Sequence, residues 1–291
     1  MSYAYEGCSN IEYPVIGDKV TSIAGTYGSC SKLKEAICTD NITNMARAYS
    51  SCYNLFDAVC GNNVTNMYYT YSHCHNLKTA VCGPNVIDMG LTYFSCYNIK
   101  TAVCGPNVNN MSQTYEYCYN LTTAACGDSV TGMYYAYSNC TNLITAVCGN
   151  NVTNMYHTYS NCTNLITAAC GNNVINMSGA YQNCPNLTTA VFGNNVIDIS
   201  WSYANCPNIR GNVYINSLEV QNANNCFINR DTAYRLNIYT PAALNSTTVN
   251  TLLNKNYYYD TLVGSWCDWT DNYSVNKCFY NTEYNIYIYV E

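Results

Sequence analysis

Twenty cysteines and three histidines are the residues of this 291-residue chain with the widest choice of chemistry. Thiolates bind metals, close disulfides or attack electrophiles, and imidazole can join in the first and last of these roles. Spacing decides among them. Ten cysteines stand 22 residues apart without a slip: Cys8, Cys30, Cys52, Cys74, Cys96, Cys118, Cys140, Cys162, Cys184 and Cys206. A second series lies 8 residues after the first, from Cys38 to Cys170. No Cys-x-x-Cys occurs, and His73, His75 and His157 do not recur with the cysteines, so no four-ligand metal set forms by sequence. His73 and His75 are expected to face solvent.

Disulfides fit little better. The second series is replaced by Ile16, Phe192 and Tyr214, so its slot takes an apolar side chain of middling size. Pairing the two series would strand Cys8, Cys184 and Cys206. Like cysteines in parallel, in-register segments point the same way, whereas a disulfide needs converging Cβ vectors. The cysteines are therefore expected to be free, buried thiols packed as small hydrophobes, in a chain folded in a reducing cytosol. Cys226, Cys267 and Cys278 lie outside both series and are read as buried, a reactive thiol being the alternative. Acidic residues do not pair at a repeated strand end, and neither Gly-x-Ser-x-Gly nor a phosphate loop occurs. No catalytic residue, metal or cofactor is expected.

The elements that carry the cysteines repeat with them. Counting each of the ten as position 0, Tyr stands three residues earlier every time, from Tyr5 to Tyr203. Position +3 is Leu or Ile, +6 is Ala from Ala36 to Ala190, +9 is usually Gly, +12 is Val or Ile, and +15 is Met from Met45 to Met177. A fixed period of this size marks a solenoid, whose units bury their cores only by stacking. Residues +5 to +8, such as Thr145 to Cys148, are read as one short strand per coil, followed by a glycine corner that uses positive φ. Asn154 to Tyr159 are read as one helical or 3₁₀ turn on the opposite side. Ten such coils would make a rod or shallow arc roughly 45–50 Å long.

The pattern L-x-x-A-x-C-G-x-N-V-x-x-M-x-x-x-Y-x-x-C-x-N, carried by units such as Leu143 to Asn164, resembles the BspA-type (Treponema-type) leucine-rich repeat. Tyr takes the usual Phe place and Gly the usual Pro place. The resemblance covers residues 1 to about 215. It implies a curved solenoid used for adhesion or protein binding, without an active site.

Charged residues make up only 10% of the chain, and between Tyr97 and Ile209 they number four: Lys100, Glu116, Asp128 and Asp198. A net charge of −6 without basic clusters excludes a nucleic-acid partner. No run reaches the roughly 18 apolar residues needed to span a bilayer, so no membrane insertion is expected. The N-terminal Met1 to Tyr5 lacks the basic and apolar regions of a secretory signal.

Outward columns replace charge. On the sheet face, Thr79, Thr101, Thr123 and Thr145 run beside Val81, Val103 and Val147. Such a stripe reads either as an apolar interface or as strand propensity alone. Tyr68, Tyr69, Tyr134, Tyr135 and Tyr156, with Tyr53, Tyr97, Tyr117 and Tyr119, offer aromatic faces suited to sugars, protein partners or further copies of the chain. The Asn column at +2 is read as structural.

Beyond Ile209 the register dissolves, dividing the chain into a solenoid over 1–214 and a capping or assembly domain over 215–291. The second is read as a small α+β domain. It has strands at Tyr234 to Thr240, near Tyr257 to Val263 and at Tyr284 to Val290, a helix opened by Ser246 that carries Val249, Leu252 and Leu253, and a turn at Asp268 and Asp271 beside Trp266 and Trp269. With Arg235 to Tyr239, the two tryptophans and Tyr280 to Tyr289, this tail resembles segments of repeat proteins from bacteriophages and gut bacteria. That resemblance implies a virion or cell-surface component. The leading expectation is a non-enzymatic phage tail-fibre, decoration or receptor-binding protein, folded in the host cytoplasm and carried on the virion. It would contact other virion or surface proteins, further copies of itself, or a host cell-surface glycan or protein. The alternatives are a bacterial surface adhesin for glycan or host protein, and a self-assembling fibre subunit.

Overall fold

The computed structural model describes residues 1–217, 219–240, 267–269, 276–281 and 286–290. Its core is a column of tyrosines. Tyr27 to Tyr203 are buried at every coil, with near-parallel rings whose centroids lie 5.2–5.7 Å apart, an offset stack that sets the rise from coil to coil. The ladder cysteines from Cys30 to Cys206, the +3 Leu/Ile, +12 Val/Ile and +15 Met columns pack around it.

Coils pair most continuously on the tyrosine side, where a helical turn was expected. The N–H groups of Met133, Tyr135, Tyr137 and Asn139 donate to the carbonyls of Asn154, Tyr156, Thr158 and Ser160 in the next coil, at 2.8–3.0 Å. Between them, the N–H groups of Ala136, Ser138 and Cys140 turn back to carbonyls three residues earlier. Tyr135 (φ 52°) and Asn139 (φ 62°) make this alternation possible, because a left-handed residue in each short turn redirects the next peptide. The same two positions are left-handed in the other coils, on Arg47, Leu91, His157 and Trp201 as well as on Asn and Gly. Parallel bridges run from Ser22 and Asn44 through to Asp198 and Asn222. No helix occurs among the described residues.

The expected strand at +5 to +8 is reduced to single bridges, Thr101 to Thr123, Thr123 to Thr145 and Thr145 to Thr167. The reason is the tyrosine hydroxyl. Tyr93 Oη donates to the Val81 carbonyl at 2.6 Å and accepts from the Val81 N–H at 2.8 Å, so this residue's backbone is satisfied across the core and has no need of a sheet. The +9 glycines also differ from expectation, since none of them has positive φ. They are needed for close approach: a Cβ on Gly149 would lie 2.9 Å from both Cys126 Sγ and the Gly127 carbonyl oxygen.

Repeat geometry continues past 214. A coil longer by two residues follows Cys206, in which the Ile199 and Tyr203 N–H groups donate to Asn222 and Cys226, and Phe227 stacks on Tyr203 at 5.9 Å. Phe227 thus takes the tyrosine place, and Arg230, 7% exposed, takes the cysteine place. Phe227 carries no hydroxyl, and the segment that such a hydroxyl would hold becomes a true strand, β1 (Gly211–Tyr214). β1 pairs in parallel with β2 (Leu236–Thr240), and β2 with β5 (Ile286–Val290). The five-stranded sheet is completed antiparallel by β4 (Asn276–Asn281) and β3 (Cys267–Trp269), in the order β1-β2-β5-β4-β3. Val213, Ile238 and Ile288 are in register and buried, and Tyr214, Tyr239 and Tyr289 stack at 4.9 and 5.0 Å. The boundary at 214/215 therefore falls inside a continuous stack. Asp268 and Trp269 lie in β3 rather than in a turn; Asp271, Trp266, the expected helix and the Tyr257 to Val263 strand lie outside the described residues.

Candidate interaction surface

The coil stack turns single aromatic residues into columns one coil apart. At +1, Tyr53, His75, Tyr97 and Tyr119 stack with centroids at 5.2, 4.5 and 5.2 Å. Tyr53 and Tyr119, at 44% and 41% exposure, open the two ends of this column to solvent. Beside it, His73 meets Phe94 at 5.2 Å, Phe94 meets Tyr117 edge-on at 5.5 Å, and Tyr117 meets Tyr119 at 6.3 Å. Tyr69 joins through His73 at 6.3 Å and brings Tyr68 with it. The result is one contiguous aromatic surface over successive coils. A smaller cluster follows: Tyr134 stacks on Tyr156 at 5.2 Å and Tyr135 on His157 at 5.0 Å.

The histidines belong to these stacks instead of standing free in solvent. Burial holds all three below the ordinary imidazole range, and for His73 the neighbouring His75 adds to the effect. They are therefore neutral aromatic members at pH 7. The signal was present in the sequence, since His75 falls in the column of Tyr53, Tyr97 and Tyr119.

The other expected surface residues separate. Thr79, Thr101, Thr123 and Thr145 are exposed, whereas Val81, Val103 and Val147 are half-buried, so the valines do not form an exposed apolar strip. Cys30 to Cys206 of the ladder are buried and Cys8 is exposed; the cysteines whose side chains are described are all free. Burial pushes Cys52 up to about 12 and Cys60 to about 11, the opposite of the shift that activates a nucleophile. Among the described residues no three His, Cys, Asp or Glu side chains converge as a metal site. Lys34 and Glu12, both exposed, form an ion pair at 2.6 Å. At +2, Asn142 and Asn164 donate amide to amide, while Asn54 and Asn98 cap backbone carbonyls of the preceding coil.

Among the solved structures this chain matches is a leucine-rich repeat protein from Bacteroides ovatus ATCC 8483, with 15% identity and a TM-score of 0.40 over 84% of this chain and 82% of that one. Another is a leucine rich cell surface protein from Faecalibacterium prausnitzii A2-165, with 17% identity and a TM-score of 0.36 over 77% and 72%. No curated protein matches the sequence. The model of the BspA type leucine rich repeat region matches residues 1–122 and 111–234, reaching through the coil that ends in Phe227 and Arg230. With most of its length matched in this way, the chain belongs to the BspA-type leucine-rich repeat family.

Proposed function

We propose that this chain is a non-catalytic adhesin of the bacterial cell surface, and that it binds a partner protein through the aromatic surface built on Tyr53, His75, Tyr97 and Tyr119. Family membership supports the adhesin alternative better than the virion role, for which the comparisons offer no support. The observation that carries the reading is the contiguity of these rings across coils. Tyrosine gives large contact area and a polar tip at little conformational cost, the mix enriched at protein interfaces. Stacking holds each ring in place before a partner arrives, which lowers the entropy lost on docking. Neutral histidines and a surface poor in charge favour a partner face that is itself aromatic or amide-rich over an acidic or basic one. Among the described residues no helix is long and apolar enough to cross a membrane.

Binding of the fluorescently labelled chain to host epithelial cells tests this reading, with a Tyr53→Ala/Tyr97→Ala/Tyr119→Ala variant as the control. The variant should keep its melting temperature within a few degrees and lose most of the cell-bound signal. Equal binding by both proteins, or none by either, would overturn the proposal.

A further inference from the structure

A different face carries a second site. Along coils two to five runs an open, shallow groove of about 650 Å³, lined by a row of amides from Asn41, Asn63, Asn85 and Asn107. Each amide is fixed. Its Nδ2 donates to the carbonyl of the residue 23 positions earlier, at 2.7–2.9 Å. The Oδ1 atoms accept from no donor among the described residues, so the row offers one orientated acceptor per coil. Beside the amide row the lining is apolar. Thr43 and Thr65 turn their hydroxyls to backbone carbonyls at 3.2 Å and leave their methyl groups, and Ile87 stands 53% exposed beside them.

We propose that this groove binds an extended neutral glycan. A pyranose ring has the matching character, with hydroxyl donors around its edge and C–H groups on its faces. In an extended β-1,4-linked chain successive rings advance by a length similar to the separation of equivalent core tyrosines in neighbouring coils, 5.4–5.7 Å, and alternate rings are turned over, so rings two apart present the same edge to amides two coils apart. Asp40 supplies the only charge among the lining residues, and no Lys or Arg lines the groove, which disfavours sulfated or uronic-acid chains. Each contact is weak, so affinity comes from repetition along one chain. The site is independent of the aromatic surface and stands or falls separately from it.

Calorimetric titration of the full chain with neutral β-1,4-linked gluco- and manno-oligosaccharides of two to six rings tests the proposal. Affinity should climb with length and level off near four rings, while α-1,4-linked oligomers, which coil away from a straight row, should bind more weakly. Asn63→Ala with Asn85→Ala removes two hydrogen bonds, worth about tenfold in Kd together. Because those amides also cap carbonyls, Ile87→Glu is the second variant; it places charge and bulk in the groove, leaves every cap intact and should lose binding with unchanged melting. Four results would overturn the proposal: no neutral glycan bound, equal Kd for two rings and five, tighter binding of anionic glycans, or wild-type affinity in Ile87→Glu.

Discussion

The thiol of Cys162 donates to the carbonyl oxygen of Tyr137 in the preceding coil at 3.1 Å, and that same oxygen accepts the Cys140 N–H at 3.1 Å. The contact recurs from Cys30 onto Tyr5 through to Cys206 onto Tyr181, at 3.0–3.1 Å. It accounts for the difference between the two cysteine series. The invariant one is a buried donor to a core carbonyl, whereas the replaceable one sits at the half-buried margin, where Ile16 and Phe192 also fit.

Donor chemistry should therefore outrank volume at the ladder. Cys162→Ser keeps a donor and Cys162→Val fills the site without one, so Ser is expected to be the milder change, with Val costing about 1–3 kcal/mol for the lost bond. Urea unfolding of both variants in reductant measures this. If Val proves the milder change, packing alone explains the invariance.

Tyr93→Phe deletes one hydroxyl and leaves both the N–H and the carbonyl of Val81 without their partner. The expected cost is about 1–3 kcal/mol, larger than one ordinary hydrogen bond because two backbone groups are orphaned. Amide exchange should accelerate at Val81 before neighbouring coils. Unchanged protection there would mean that the coil satisfies itself in another way.

Two glycines should respond with opposite sign. At Gly149 an added Cβ meets a backbone oxygen that cannot move aside, so Gly149→Ala should destabilise by about 1–3 kcal/mol. At Gly132 nothing lies within 4 Å of such a Cβ and φ is not positive, so Gly132→Ala should be neutral or stabilise by up to about 1 kcal/mol. Thermal melts of the pair compare them directly; equal effects would remove close approach as the reason for the +9 column.

Which residues lie in the core was readable, because a strict period shows every column many times over. How the backbone satisfies itself was not. Residues such as Tyr135 and His157 carry no local mark of a left-handed conformation, and the alternation around Val147 looks the same whether its peptide pairs with a strand or with a tyrosine hydroxyl. The last coil is hidden in the sequence because two extra residues and the exchanges to Phe227 and Arg230 break the count together. The aromatic surface is half visible in sequence: its tyrosines share columns, and His75 joins them only by its +1 position, since its residue type suggests solvent or metal.

Alkaline pH should unfold the chain abruptly. Burial raises the thiols of seventeen cysteines above their ordinary 9.0, Cys52, Cys82 and Cys206 to about 12 and others further. A pKa raised by folding means that the native state holds protons which the unfolded state releases. Its contribution is complete below the unfolded value of 9.0 and is lost progressively as pH rises from there to the raised folded value, about 12 for Cys52. Each thiol that ionises only on unfolding removes about 1.4 kcal/mol per pH unit. Even half of seventeen acting together outweigh the roughly 5–15 kcal/mol of a typical domain within about one pH unit. Circular dichroism in reductant should show a cooperative loss of structure between about pH 9 and 10, sharper than the tyrosines alone would give. Persistence of the fold at pH 10.5 would mean that the thiols are not the buried, protonated ladder described above.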